Sequence, residues 1–340
     1  MTRGARGAVV GAAILMLMCT AFAEDVVEIA DQTGATVQVP QPVERLASVY
    51  GAGTFYIYTL GASERLEMAW YIGVKGLAKA SDAMFRLEPR LGEILAFGDP
   101  NVEEVVSRDV QLVLVDGSRH AAFADQITEL GIPVIRYLVE TPEQLKAAVL
   151  LTGEALGRDP LEKASRFVDD YDRLVASVSS DVGSISSDTR VRVLFLGTDL
   201  LRVASGDMYQ THLIEAAGGV SVSQDLSGYW NDVNLEQVLL WNPDVIVIPP
   251  YGPVQTEDIL ENADWAAINA VRQGRIHRMP RVVAPMDAPV PESLLGVAWM
   301  AKLFYPDLVH IDLSAEIERF YVSYYNYSLT EAELEHMAGQ

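Results

Sequence analysis

An α/β fold of two similar lobes joined by one long helix is predicted by three observations. Strand-like and helical segments alternate along most of the 340 residues, the pattern of a parallel sheet covered by helices. One long amphipathic stretch, from Pro160 to about Val182, interrupts that alternation near the middle of the chain. The segments on its two sides match each other.

The elements follow in order. Val26 to Val39 alternates apolar and polar residues around Asp31-Gln32-Thr33-Gly34 and predicts a β-hairpin. Arg45 to Tyr50 reads as a buried strand, and Gly51-Ala52-Gly53 turns it into a helix that ends near Leu60-Gly61. Strands are predicted at Leu112–Val115 and Val134–Tyr137, with helices over Val102–Ser107, Ala121–Leu130 and Pro142–Leu156. In the central stretch Leu161, Ala164, Phe167, Val168, Tyr171, Leu174, Val175 and Val178 recur at spacings of three and four, one apolar face of a helix. Ser179 to Ser184 is rich in turn formers, and a new strand begins at Val191.

The internal match is gapless. Asn101 to Val115 aligns on Asn234 to Ile248, each an Asn-apolar-Glu helix start, a short helix, a polar turn and an apolar strand. Asn101 and Asn234 can cap their helices, and Glu103 and Glu236 suit the positive end of the dipole. The expected organisation is an export signal over 1–23, a first α/β lobe over 24–157, a linking helix over 158–184 and a second lobe over 185–340. In Rossmann-like sheets of this kind ligands sit beyond the carboxyl ends of the strands, so a groove between the lobes is the expected site.

The first residues read as an address label. Arg3 and Arg6 precede an apolar run from Ala8 to Met18, and Ala21-Phe22-Ala23 fits a signal-peptidase site. Cleavage after Ala23 is expected. Lipidation at Cys19 is the alternative, although Met18 stands where that processing wants a small residue. Cys19 is the one cysteine, so the cleaved chain has no thiol chemistry. The net charge is −22, and −24 once Arg3 and Arg6 are gone. That field repels nucleic acid and anionic lipid and favours neutral, cationic or basic partners.

The hairpin running into Val39-Pro40 and Val43-Glu44-Arg45-Leu46-Ala47 resembles the opening of the helical-backbone class of periplasmic binding proteins. Those proteins serve ABC importers of siderophores, haem, cobalamin and some metal ions. Asn234 to Ile248 is similar to that family's second-lobe signature, and Trp265 to Pro280 to the segment near its last strand. The resemblance implies two lobes on a rigid helix that open little and a groove site. It also implies one surface glutamate per lobe, here Glu103 and Glu236, docking on arginines of the permease, which works with its ATPase. The protein is then a monomer in the periplasm. Pro285 to Gly296 departs from the family pattern, which leaves the ligand class open.

Candidate ligand contacts are polar or aromatic residues just after strands. The first lobe offers Tyr50, Met84, Phe85, Arg86, Ser118, Arg119, His120 and Tyr137. The second offers Tyr209, Tyr229, Trp230, Tyr251, Met286 and Asp287. Tyrosine and tryptophan give rigid amphipathic area suited to a large chelate, and a phenolate could ligate ferric haem. Arg86 and Arg119 would pair with an anionic chelate or, alternatively, with the chain's own carboxylates. His120 is a metal ligand or a solvated loop residue. The stripe Tyr321, Tyr324, Tyr325 and Tyr327 reads as helix packing. Five scattered histidines argue against a bare zinc site.

No enzyme signature stands out. There is no Gly-x-Ser-x-Gly elbow, phosphate loop or His-Glu-x-x-His, and Tyr56 replaces the last glycine a dinucleotide fingerprint would need after Gly51 and Gly53. The expectation is therefore a binding component without catalysis or cofactor, with an exported enzyme or a sensory module on the same fold as distant alternatives. Its ligand is a metal chelate, ferric siderophore first, with haem, cobalamin, a metal ion or an oxyanion as alternatives.

Overall fold

The computed structural model describes residues 25–339. The expected export signal, its cleavage after Ala23 and Cys19 lie outside the described residues. The chain opens with the hairpin of β1 (Asp25–Ala30) and β2 (Thr36–Gln41), paired antiparallel. Its turn is held by Asp31, whose Oδ1 accepts from the N–H groups of Thr33 and Ala35 at 2.9 and 3.1 Å. Gly34 completes the turn at φ +84°, where a side chain would be strained.

The first lobe is built on β3 (Leu46–Ser48), β4 (Leu66–Ala69), β5 (Leu112–Asp116) and β6 (Val134–Tyr137). These form one parallel sheet in the order β4-β3-β5-β6. The second lobe repeats the plan. β7 (Arg192–Phe195), β9 (Val220–Ser221), β11 (Val245–Ile248) and β12 (Ile276–Arg278) pair in parallel in the order β12-β11-β7-β9. The pairs β8 (Arg202–Val203) and β10 (Asn231–Asp232) form a small ribbon beside it. β11 is buried along its whole length and β5 along all of it but Asp116, as near-continuous apolar runs in a parallel sheet must be.

The internal match of the sequence is repeated in the fold. Residues 101–108 and 234–241 share one pattern of exposure, with Val105 and Val238 buried and Glu103 and Glu236 exposed. Asn101 Oδ1 accepts from Glu103 N–H, and Asn234 Oδ1 from Gln237 N–H. Each helix ends in a left-handed residue, Asp109 at φ 51° and Asn242 at φ 43°, short polar residues that tolerate that region. Gln111 N–H then donates to Arg45 O, and Asp244 N–H to Arg192 O, both at 2.8 Å. Arg45 and Arg192 in turn donate to the helix-end carbonyls of Arg108 and Trp241.

The linking helix runs from Arg158 to Val182. It extends through Ser179–Asp181, where turn chemistry was expected, because Val178 and Val182 continue its buried face. Pro160, Ala164, Phe167, Tyr171 and Leu174 complete that face. It packs against the helix Pro142–Leu156 and against Ser293–Phe304 of the second lobe. Gly153 permits the first contact, since a Cβ there would lie 2.9 Å from Leu161 Cα. The main apolar core is continuous across both lobes through this helix. The loop 281–291 adds three polar ties. Tyr56 hydroxyl donates to Pro289 O at 2.9 Å, Ser81 hydroxyl to Val282 O at 3.1 Å and Arg281 to Ile72 O at 2.9 Å.

Candidate ligand-binding groove

The carboxyl ends of β3, β5 and β6 all open on one side of the first sheet. There they meet Met208, Tyr229, Trp230 and Pro289 of the second lobe around a cavity of about 840 Å³. Tyr50 leaves β3 at this edge because the next helix starts at once. Gly51 lets it do so, since a Cβ there would lie 3.1 Å from Ile72 N. Tyr50 stacks on Tyr137 at 5.8 Å between ring centres, 25° from parallel, and Tyr56 stands edge-on beneath both. Tyr137 is held by a 2.6 Å hydrogen bond between its hydroxyl and Thr152 Oγ1. Burial pushes the phenols of Tyr50 and Tyr137 upward. Both hydroxyls are therefore neutral rather than phenolate, and Tyr137, itself buried, backs the more accessible ring of Tyr50.

The groove is lined by three carboxyl groups, Asp99, Asp116 and Glu140, and two cations, Lys75 and Arg119. Asp116, at the end of β5, accepts through Oδ1 from the N–H groups of Ser118 and Arg119 at 2.9 and 2.8 Å, which fixes the following turn. Glu140 lies three residues beyond Tyr137. Burial, then the neighbouring Asp116 carboxylate, raises its pKa, while Tyr229 hydroxyl and Tyr209 N–H reach from the second lobe to oppose the rise. His120 is lowered, first by burial, and its Nδ1 has no hydrogen-bond partner among the described residues. Asp99, Lys75 and Arg119 also line the cavity. Phe97 and Tyr229 stand on its rim, 59% and 62% exposed. Among the described residues, no group of three or more His, Cys, Asp and Glu is placed to hold a metal ion.

Of the sequence-derived candidates, Tyr50, Ser118, Arg119, His120, Tyr137, Tyr229 and Trp230 come together here. The others do not line the cavity. The short helix Asp82–Leu87 buries Met84 in the core, leaves Phe85 on the surface and turns Arg86 toward Glu333, with which it pairs. Arg86 also lies 5.3 Å over the Tyr327 ring. Tyr209 is buried, bonded to Ser293 Oγ at 2.7 Å. Tyr251 donates to the buried Asp287 at 2.6 Å, and Gln210 bonds the same carboxylate oxygen at 3.3 Å. Met286 is buried because its loop lies on Gly296, where a Cβ would stand 2.5 Å from Met286 O. Glu103 and Glu236 are exposed on their helices, away from the groove lining.

Sequence reasoning missed Trp70, Phe97, Lys75, Asp99 and Glu140. Trp70 follows β4, a strand too short to announce itself. Glu140 had a usable signal, because it continues the same strand-end loop as Tyr137.

The periplasmic binding protein family model matches residues 74–283, well over half of the chain. The molybdate-binding protein MolA of Haemophilus influenzae is 27% identical over 323 residues, covering 88% of this chain and 91% of that one. Its molybdate-bound crystal structure superposes with a TM-score of 0.77 at 24% identity, over 89% and 99% of the two chains. A periplasmic solute-binding protein of Veillonella parvula gives 0.78 at 24%, over 92% and 97%. Helicobacter pylori CeuE with Ni(II) bound gives 0.73 at 17%, over 91% and 98%. With its two parallel-sheet lobes on one long helix, this chain belongs to the helical-backbone class of the periplasmic binding protein family, the solute-binding components of ABC importers.

Proposed function

We propose that the imported solute is a neutral or cationic metal chelate, a ferric siderophore before haem or cobalamin, bound whole and released unchanged. The observation that carries this reading is the groove itself. At about 840 Å³ it suits a large ligand, and it offers stacked aromatic faces beside Asp116 and Glu140. A tetrahedral oxyanion would fill a small part of that space and would meet those carboxylates. The raised phenols of Tyr50 and Tyr137 weigh against a tyrosinate-ligated haem. On this reading the protein is exported to the periplasm as a monomer, with the leader cut after Ala23. Glu103 and Glu236 then dock it on the permease.

A second reading, an oxyanion cargo, is favoured by the molybdate bound by MolA and by Lys75 and Arg119 at the groove. The deciding experiment is native mass spectrometry with an absorbance spectrum, followed by tryptophan-fluorescence titration with ferric siderophores, haem, cobalamin and molybdate. Tight binding of a coloured chelate is expected. Tight binding of molybdate alone would overturn the proposal.

A further inference from the structure

The duplicated helices carry more than their glutamates. On Val102–Ser107 the exposed Glu103 is followed at i+3 by Val106, 48% exposed. On Leu235–Trp241 the exposed Glu236 is followed at i+3 and i+4 by Leu239 and Leu240, 37% and 79% exposed. Residues three and four apart share a helix face, so each glutamate stands beside an apolar side chain pointing to solvent. A single exposed leucine calls for no explanation. Here the same outward pairing recurs at matched positions of two lobes, while the inward positions, Val105 and Val238, match as well and are buried.

We propose that Val106 on one lobe and Leu239 with Leu240 on the other are apolar docking contacts, seated in apolar depressions of the permease's outer face beside its basic residues. This rests on the reading that Glu103 and Glu236 dock there. Charge selects the occupant. Each apolar group is flanked by an exposed carboxylate on a chain of net charge −22, so the complementary surface is basic. A second copy of this chain would bring like charges together, and an anionic lipid surface would be repelled. A partner with two equivalent halves fits two equivalent contacts. The division of labour follows. The glutamates steer the encounter, and the apolar groups, desolvated at the centre of each contact, slow dissociation.

The test uses the full mature protein and its cognate permease–ATPase complex in nanodiscs, with dissociation constants measured across a salt series. The triple variant V106S/L239S/L240S is expected to bind about tenfold or more weakly, with an unchanged salt slope. The pair E103Q/E236Q is expected to bind weakly with a flattened salt slope. Circular dichroism and the thermal unfolding midpoint should be unchanged in both, showing that the fold is intact. Wild-type affinity in the triple variant, with loss in the glutamate pair, overturns the apolar contact and leaves the docking reading standing. Wild-type affinity in both overturns both. Self-association of the wild type that the triple variant abolishes, with permease binding intact, would make the patch a self-contact and also overturn the inference.

Discussion

Glu292 should make the folded state less stable as the pH rises toward neutrality. Its side chain is fully buried at the start of the helix Ser293–Phe304. One oxygen accepts from Ala284 N–H at 3.2 Å, and the other accepts from the Tyr325 hydroxyl. Burial outweighs both bonds and the more distant Arg281, and raises the carboxyl from 4.5 to about 7. The folded state therefore holds this proton more tightly than the unfolded chain. The resulting stability is present in full below about pH 4.5 and is lost as the pH rises through about 7. The loss amounts to about 3 kcal/mol, at roughly 1.4 kcal/mol for each pH unit of the window. Glu292→Gln mimics the protonated acid. Its amide N–H replaces the carboxyl O–H, and the Tyr325 hydroxyl can turn to Thr59 Oγ1, which has no partner of its own among the described residues. Denaturant unfolding at intervals from pH 5 to 9 checks this. The two proteins should be about equally stable near pH 5, and the variant should pull ahead by about 3 kcal/mol near pH 9. Parallel pH profiles would refute the assignment of a buried, proton-holding Glu292.

The groove gives two more expectations. Tyr50→Ala removes a stacked face and should raise the dissociation constant for the bound chelate about tenfold, read by fluorescence titration, while Tyr50→Phe should change it little. Gly197→Ala would place a Cβ 2.9 Å from Arg202 Cγ and 3.0 Å from Trp230 Cε3. It should cost about 1–3 kcal/mol of stability and shift the tryptophan emission, and an unchanged spectrum would show that Trp230 is not held against this glycine.

The architecture was legible because its signals are local and periodic. The buried face of the linking helix, the apolar runs of β5 and β11, and the helix caps at Asn101 and Asn234 can each be read from spacing alone. What escaped depends on short elements and on direction. β4 has four residues, too few for periodicity, so Trp70 went unseen. Arg86 follows no strand. It lies on a short helix whose turn sends it to Glu333 rather than to the groove. Asp287 and Tyr251 have the residue types of a binding site but satisfy each other in the interior, a pairing separated by 36 residues that no local pattern reveals.

Treating the lobes as equivalent placed ligand contacts at strand ends in both, yet the strand ends are not chemically equivalent. Aligning the sheets by their pairing registers sets Leu46 beside Leu112 in one lobe and Val193 beside Val245 in the other. Tyr50 then corresponds to Gly197, Asp116 to Pro249 and Tyr137 to Met279. The first lobe thus has a phenol, a carboxylate and a second, buried ring at the cavity, and the second has a glycine, a proline and an equally buried thioether that does not line it. Trp230 packs on Gly197, entering from another loop to occupy the place where the first lobe has a tyrosine. The second lobe's own polar groups, Tyr209, Tyr251 and Asp287, bond to one another or to Ser293 in the interior. If the groove is the ligand site proposed above, discrimination among ligands would rest with the first lobe's strand ends, and the second lobe would supply an aromatic wall and a fixed mounting. A continuous core and the ties of loop 281–291 suit that arrangement, since a wall that only covers the ligand gains nothing from moving independently of it.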